Sequence, residues 1–428
     1  MDQPLSLSPK RVVLANGLTV LITENPIADI VAARFFVRAG SSWETPAQFG
    51  LANLLAAVLT KGTITHSAQA IASQIESVGA GLSADATADY FLLSLKTVSA
   101  DFARLLPLAA EILRSPSFPT DQIELERKLT LQAIRSQQER PMSLGMNQLR
   151  QAIYGEQHPS SQPGLGTETT VAQIQAADLH QFHQTHFRPD NLVISLAGRI
   201  TVAAAIALVE SAFGDWPTPQ QSLPELHLPT INSQPHTRVL AQPTQQSLVL
   251  VGYLATSLRS PDHAALRVLN TYLGSGLSSR LFVELREKQG LAYEVSSFYP
   301  SRLHPAYFVV YMGTGAENTA IALDSLQTEV QRLCAAPLSS EEIQVAQSKI
   351  LGQHALSKQT NAQLASLYGW CDILGLGLDY DRQFQSDIAS VTAEQAHQVA
   401  LRYLSAPYIS LVGPEAAIAP RLNVHSLP

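Results

Sequence analysis

Cysteine is nearly absent: Cys334 and Cys371 are the only two in 428 residues, 37 positions apart, with no Cys-x-x-Cys pair and no Cys/His cluster near either. That excludes a disulfide framework and a cysteine-based zinc site, and leaves two buried thiols as the expected state. Charge is sparse as well. Charged residues make up 15% of the chain, and 28 Lys+Arg against 35 Asp+Glu give a net −7, which argues against a strongly basic nucleic-acid binder. The longest apolar runs, such as Leu248–Ala255, fall far short of the roughly 18 residues a membrane-spanning helix needs, so no membrane role is expected. Met1–Arg11 carries Asp2 and two prolines but no apolar stretch after a basic start. A secretory leader is therefore not expected, and cytoplasmic is the default address. Gly-x-Ser-x-Gly, Walker and Rossmann motifs are all missing, and Gly274-Ser275-Gly276, with no Lys-Ser/Thr ending, reads as a tight turn rather than a phosphate loop.

What is present is 46% apolar sequence, enough for substantial cores in two or three domains at roughly 150 residues each. Asp215–Pro235 is the one clear break, a polar stretch punctuated by Pro217, Pro219, Pro224, Pro229 and Pro235. The same order of elements runs on both sides of it. Leu105–Ile112 reads as an amphipathic helix, broken by Ser115–Thr120, before a longer helix over Gln122–Gln138. Leu326–Leu333, the break Ala335–Ser340 and a helix over Glu341–Ala355 with capping Ser and Glu repeat the pattern. Pro189 followed by the strand Asn191–Ala197 is matched by Pro407 followed by Tyr408–Val412. Strand signals open the chain at Arg11–Val13 and Leu18–Thr23, around Asn16-Gly17, and continue at Ile30–Arg38. The reading is an α+β fold of two homologous domains from internal duplication, each a mixed, largely antiparallel sheet covered by helices. The expected boundaries are 1–216, a Pro-rich linker 217–235, and 236–428.

Two segments bear on chemistry. Gly50–Thr63 is a nearly all-apolar helix with a glycine stop, which taken alone is a buried core helix. Gly274–Tyr293 begins as a small-residue loop with Ser278 or Ser279 as N-cap, continues as an amphipathic helix, and stops at Gly290 before a strand over Tyr293–Phe298. His180, His183 and His186 share about one helix face, but no carboxylate or cysteine accompanies them, so ordinary surface and helix-end histidines are expected.

In frame, with Gly50 and Lys61-Gly62-Thr63 included, the first segment resembles the pitrilysin or insulinase-like zinc peptidases, the inverzincins. Their first domain carries Gly-x-x-His-x-x-Glu-His, in which two imidazoles and a general-base carboxylate share one helix face. The corresponding positions here are Asn53, Ala56 and Ala57, and the position of the family's third ligand, seven residues after Glu126, is Ala133. The resemblance thus implies a degenerate site that binds no cofactor in this chain. Gly274–Tyr293 is similar to the family's second-domain signature, which implies that Arg286 and Tyr293 bind a substrate carbonyl and stabilise its developing negative charge. From spacing alone, Arg286 pairing with Glu284 or Glu287 and Tyr293 packing on the core is the competing reading.

The resemblance further implies a subunit inactive alone, similar to the non-catalytic chain of the mitochondrial processing peptidase and its bacterial heterodimeric relatives. Its partner would be a catalytic zinc-peptidase paralogue with intact His-x-x-Glu-His, zinc would reside in that partner, and the substrates would be peptides. Neither nucleic acid nor membrane is expected as a partner, and a homodimer in isolation stays open. The alternative is an inactive scaffold or assembly protein of the same fold, like the core proteins of the cytochrome bc1 complex, with no peptidase role.

Overall fold

The computed structural model describes residues 8–418; residues 1–7 and 419–428 lie outside it, and with them most of the Met1–Arg11 segment read above for a leader. The first half of the chain supplies strands β1 (Lys10–Val13), β2 (Thr19–Glu24) and β3 (Ile30–Val37), then helices α1 (Leu51–Leu59) and α2 (Ala68–Glu76). Strands β4 (Gly81–Ala86) and β5 (Phe91–Val98) and helices α3 (Ser99–Arg114), α4 (Thr120–Gln138), α5 (Pro141–Tyr154), α6 (Glu168–Gln173) and α7 (Ala176–His186) follow. Strand β6 (Leu192–Gly198) and α8 (Val202–Phe213) complete this half, and residues 217–235 form neither helix nor strand. The second half supplies β7 (Thr237–Ala241), β8 (Gln246–Leu254), α9 (His263–Gly274), a wide π-helical segment Phe282–Lys288, β9 (Glu294–Phe298) and β10 (Tyr307–Gly315). Helices α10 (Thr319–Ala335), α11 (Ser340–Leu356), α12 (Asn361–Ile373), α13 (Tyr380–Ser390) and α14 (Ala393–Tyr403) precede β11 (Tyr408–Gly413) and α15 (Glu415–Ile418).

The duplication is visible in the sheets. One has the order β1-β2-β6-β3-β5-β4 and the other β7-β11-β8-β10-β9, so from β2 and β7 onward the two orders match. Each contains a single parallel pairing at the same place, β2 with β6 and β7 with β11, and the remaining pairings are antiparallel. This is the expected α+β class. The expected caps are also present on α11, where Glu342 N donates to Ser339 Oγ at 3.2 Å and Ser339 N to Glu342 Oε2 at 2.8 Å.

Both sheets are buried on both faces, which is why their central strands read as continuous apolar runs rather than alternating ones. In the first sheet, Val20, Ile22, Val31, Ala33, Phe35, Ile194 and Leu196 belong to a core shared with α1, α3 and α8. The residues between them, Leu21, Ala32, Phe36, Val193 and Ala197, point to the other face and are buried as well. What packs on that face is α12, a helix from the second half of the chain. The second sheet shows the reciprocal arrangement. Val249, Val251, Phe308 and Val310 face one core, while Leu248, Leu250, Val309 and Val412 pack with Leu149, Ala152 and Ile153 of α5, a helix from the first half.

The compact units consequently do not follow the contiguous spans 1–216 and 236–428: Arg135–Gln162 belongs to the second unit and Ala355–Tyr380 to the first. Periodicity assigns α5 and α12 as helices but is silent on which sheet each covers. Each exchanged helix meets its sheet through a glycine. A Cβ on Gly369 would lie 2.2 Å from Phe36 Cε2, and one on Gly145 would lie 2.5 Å from Leu250 Cδ1. Polar contacts fix α12 laterally: Asn25 Nδ2 donates to Asn361 Oδ1 at 2.7 Å, Asn361 Nδ2 to the Ile30 carbonyl at 3.0 Å, and Arg34 Nε to Ser366 Oγ at 3.1 Å.

Gly369→Ala is expected to destabilise the chain by about 1–3 kcal/mol through overpacking against Phe36. Gly352→Ala, on α11 where a Cβ meets nothing within 4 Å, is expected to stabilise it by up to ~1 kcal/mol. Urea-unfolding midpoints of the two variants test this; equal shifts of the same sign would contradict the close approach.

Candidate functional site

Leucine and alanine make α1 a strong helix former, and its two ends are fixed by side chains from outside it. At the start, the buried Glu44 carboxylate accepts Ala52 N at 2.7 Å and Gly50 N at 3.1 Å, satisfying donors that the first turn leaves open. Burial pushes the Glu44 carboxyl up to about 8, opposed by those two backbone hydrogen bonds. At the far end Lys61 Nζ lies 2.9 Å from Glu126 Oε1, tying the exit of α1 to α4. The frame in which the metal ligands would stand is therefore held by a cap at one end and an ion pair at the other.

The side chains within the frame do not fit a zinc ion. Asn53 and Ala57 are half-buried on α1, Ala56 is buried, and Ala133 is exposed on α4. Three methyl groups and one carboxamide supply neither an imidazole nor a carboxylate. Among the described residues, no group of three or more His, Cys, Asp or Glu side chains is placed to hold a metal ion. No catalytic step is assigned to zinc on this chain.

His180, His183 and His186 form part of an aromatic cluster instead. His183 stacks on Phe187 at 4.6 Å and meets Phe118 edge-on, while its Nε2 lies 2.9 Å from the Leu113 carbonyl. His186 packs against Phe182 and Trp43, and His180 against Phe118. His183 and His186 stand in the last turn of α7, as helix-end histidines, but the expectation of surface exposure is corrected for both, which are buried. Burial lowers both to about 4, so they are neutral near pH 7. The thiols differ from expectation in part: Cys371 is buried and Cys334 only half-buried.

In the second unit, helical structure begins at Arg280, and Val283 N donates to the Ser279 carbonyl at 3.0 Å. Ser279 occupies the expected start, but its Oγ makes no capping bond. The segment is pinned from its inner side. Arg280 Nε lies 2.8 Å from Oε2 of the buried Glu329, and Arg280 Nη1 lies 3.0 Å from Glu284 Oε1, which Lys288 Nζ also reaches at 2.8 Å. Glu284 is thus taken by Arg280 and Lys288, and no described carboxylate lies within ion-pair reach of Arg286. Its exposed guanidinium sits 5.0 Å over the Phe282 ring. Tyr293 is 64% exposed, anchored by its backbone N–H to the Gly313 carbonyl at 2.9 Å. Neither the helix ion pair nor the core packing that spacing alone allowed is formed; both side chains project from an ordered helix–turn–strand.

Residues 19–167 match the family model described as insulinase (peptidase family M16), and residues 173–350 match that of the peptidase M16 inactive domain. The chain is similar to the uncharacterized zinc protease YmxG of Bacillus subtilis, at 27% identity across 95% of this chain and 98% of that protein. Its fold is similar to the crystal structure of a peptidase M16 inactive domain from Pseudomonas fluorescens, with TM-score 0.88 and 26% identity over 95% of this chain and 98% of that one. A protease from Helicobacter pylori shares the fold at TM-score 0.87 and 19% identity, over 95% of this chain and 99% of that one. The chain belongs to the insulinase-like M16 peptidase family.

Three features of the site escaped the sequence. Glu44 lies in a loop with no periodic signal, and the pairs Lys61–Glu126 and Arg280–Glu329 join residues far apart in the chain. Because Glu44 is raised in the fold relative to an ordinary carboxyl, its contribution to stability is complete below pH ~4.5 and lost as pH rises through about 8. Glu44→Gln keeps an acceptor and removes the titration. Unfolding free energies from chemical denaturation between pH 5 and 8.5 should therefore fall for the native chain relative to Glu44→Gln, by up to a few kcal/mol. A pH-independent difference would contradict the assignment.

Proposed function

We propose that this chain is the non-catalytic subunit of a heterodimeric zinc peptidase, and that its second domain completes the active site of a catalytic paralogue through Arg286 and Tyr293. The observation that carries this reading is asymmetric loss. The metal and base positions Asn53, Ala56, Ala57 and Ala133 hold no chemistry, while Arg286 and Tyr293 are exposed on a braced helix–turn–strand, with Arg286 over the Phe282 ring and, among the described residues, without an ion-pair partner. A planar guanidinium and a phenol offer fixed donors to a carbonyl oxygen as negative charge develops on it. Zinc and the general base belong to the partner. The chain also helps enclose peptide substrates.

The test is affinity purification of the tagged chain at its native level, with co-purifying proteins identified and the eluate assayed for chelator-sensitive peptide cleavage. The expected partner has similar length and an intact His-x-x-Glu-His, and this chain alone is inactive. In the assembled complex, Arg286→Ala and Tyr293→Phe should each lower kcat by about 10²-fold. Because both side chains are exposed, stability should change by no more than ~0.5 kcal/mol. Unchanged turnover in both variants would overturn the trans-acting role. Recovery of an inactive, zinc-free homodimer alone would favour a scaffold.

A further inference from the structure

Arg286 stands within the π-helical segment and Tyr293 just before β9, and residues 289–292 between them belong to neither element. The phenol keeps a fixed place relative to the guanidinium only if that connection is itself held. Leu291 is where it is held. Its N–H donates to the carbonyl of Leu285, the neighbour of Arg286, at 2.9 Å, and its own carbonyl accepts the Thr314 hydroxyl at 2.6 Å. Beside Thr314 on β10, the Gly313 carbonyl accepts the Tyr293 N–H at 2.9 Å. The turn is thus tied to the helix on one side and to the sheet on the other.

Thr314 is out of character for its position. The alternate residues Phe308, Val310 and Met312 of β10 face the apolar core, and Thr314 is next in that series, at 0% exposure. A valine would match those neighbours and fill nearly the same volume. What it would lack is the hydroxyl, and a buried hydroxyl is retained at low cost only where it is bonded. Among the described residues, no other donor reaches the Leu291 carbonyl. A second tie, from the Tyr311 O–H to Glu294 Oε1 at 2.9 Å, lies on the exposed side, where water competes for both groups.

We infer that Thr314 is a positioning residue for Tyr293: through the Leu291 carbonyl it fixes the turn that sets the place of the phenol relative to Arg286. The restraint on the turn stands on this chain alone, whereas its consequence for turnover rests on the reading of Arg286 and Tyr293 as a donor pair. Thr314 touches no substrate, so its effect on rate passes through the phenol. A donor displaced by about 1 Å from a developing oxyanion costs as much as ~10²-fold in rate.

The experiment compares Thr314→Val, which keeps the volume and removes the hydroxyl, with Thr314→Ser, which keeps the hydroxyl. The first readout is amide hydrogen exchange of the full chain. Thr314→Val is expected to speed exchange of the Tyr293 N–H by about tenfold relative to the amides of β8, and Thr314→Ser to keep the native ratio. The second readout is turnover by the assembled complex. There Thr314→Val should lower kcat and kcat/KM alike by about tenfold, Thr314→Ser should stay within about threefold of native, and Thr314→Val added to Tyr293→Phe should cause no further loss. The inference is overturned if the Tyr293 N–H exchanges at its native rate in Thr314→Val, if all amides of the second unit speed up equally, or if Thr314→Ser behaves like Thr314→Val. It is also overturned if Thr314→Val lowers kcat by the same factor with and without the phenol. If Tyr293→Phe by itself leaves turnover unchanged, the subunit reading fails, and the exchange rates alone decide whether Thr314 holds the turn.

Discussion

Each sheet is closed on its second face by a helix from the other half of the chain, and much else in the structure depends on that exchange. A sheet with apolar residues on both faces needs cover on both. Phe36 and its neighbours find it in α12, and Leu250 and its neighbours in α5. The chain passes between the two units five times to achieve this. A piece ending at residue 216 would contain the first sheet but not α12, leaving Leu21, Ala32, Phe36 and Val193 uncovered. The exchange explains why glycine stands at the closest approach of each exchanged helix.

With the scaffold fixed in this way, chemistry can be lost without losing shape. The helix that would carry a metal site keeps its buried cap at Glu44 and its exit pair Lys61–Glu126. Neither contact uses Asn53, Ala56, Ala57 or Ala133. In the second unit, buried Glu329 holds Arg280, and Glu284 is shared between Arg280 and Lys288, so the helix bearing Arg286 is braced without the use of Arg286 itself. The contrast between an emptied metal site and a braced donor pair is what makes a binding or complementing role a better account than a chain decaying throughout.

Much of this was legible in the sequence because it is local. The apolar period of Leu105–Ile112 and Leu326–Leu333, the Pro-rich break after Asp215 and the small-residue loop before Arg280 each specify their element from neighbours within a few residues, and the repeated order exposes the duplication. With the resemblance, Asn53, Ala56, Ala57 and Ala133 can be counted from Gly50 and Glu126 as the counterparts of the family's ligand positions. What was not legible depends on distant pairs. No pattern in α12 says that Gly369 meets Phe36, and none in the loop around Glu44 says that it caps α1. The histidines of α7 carry no sign that Phe118 and Trp43 will enclose them. Ser279 reads as a cap from its place in the chain, yet its hydroxyl makes no capping bond.

The central claim is that a zinc-peptidase scaffold persists here with only its chemistry removed, and the most direct measurement is metal stoichiometry after restoring it. Asn53→His, Ala56→Glu, Ala57→His and Ala133→Glu introduced together should give a folded chain that retains about one zinc per molecule through gel filtration. The native chain should retain none. A folded quadruple variant without bound zinc would contradict the claim, because the frame of α1 and α4 would then no longer hold those four positions as a site.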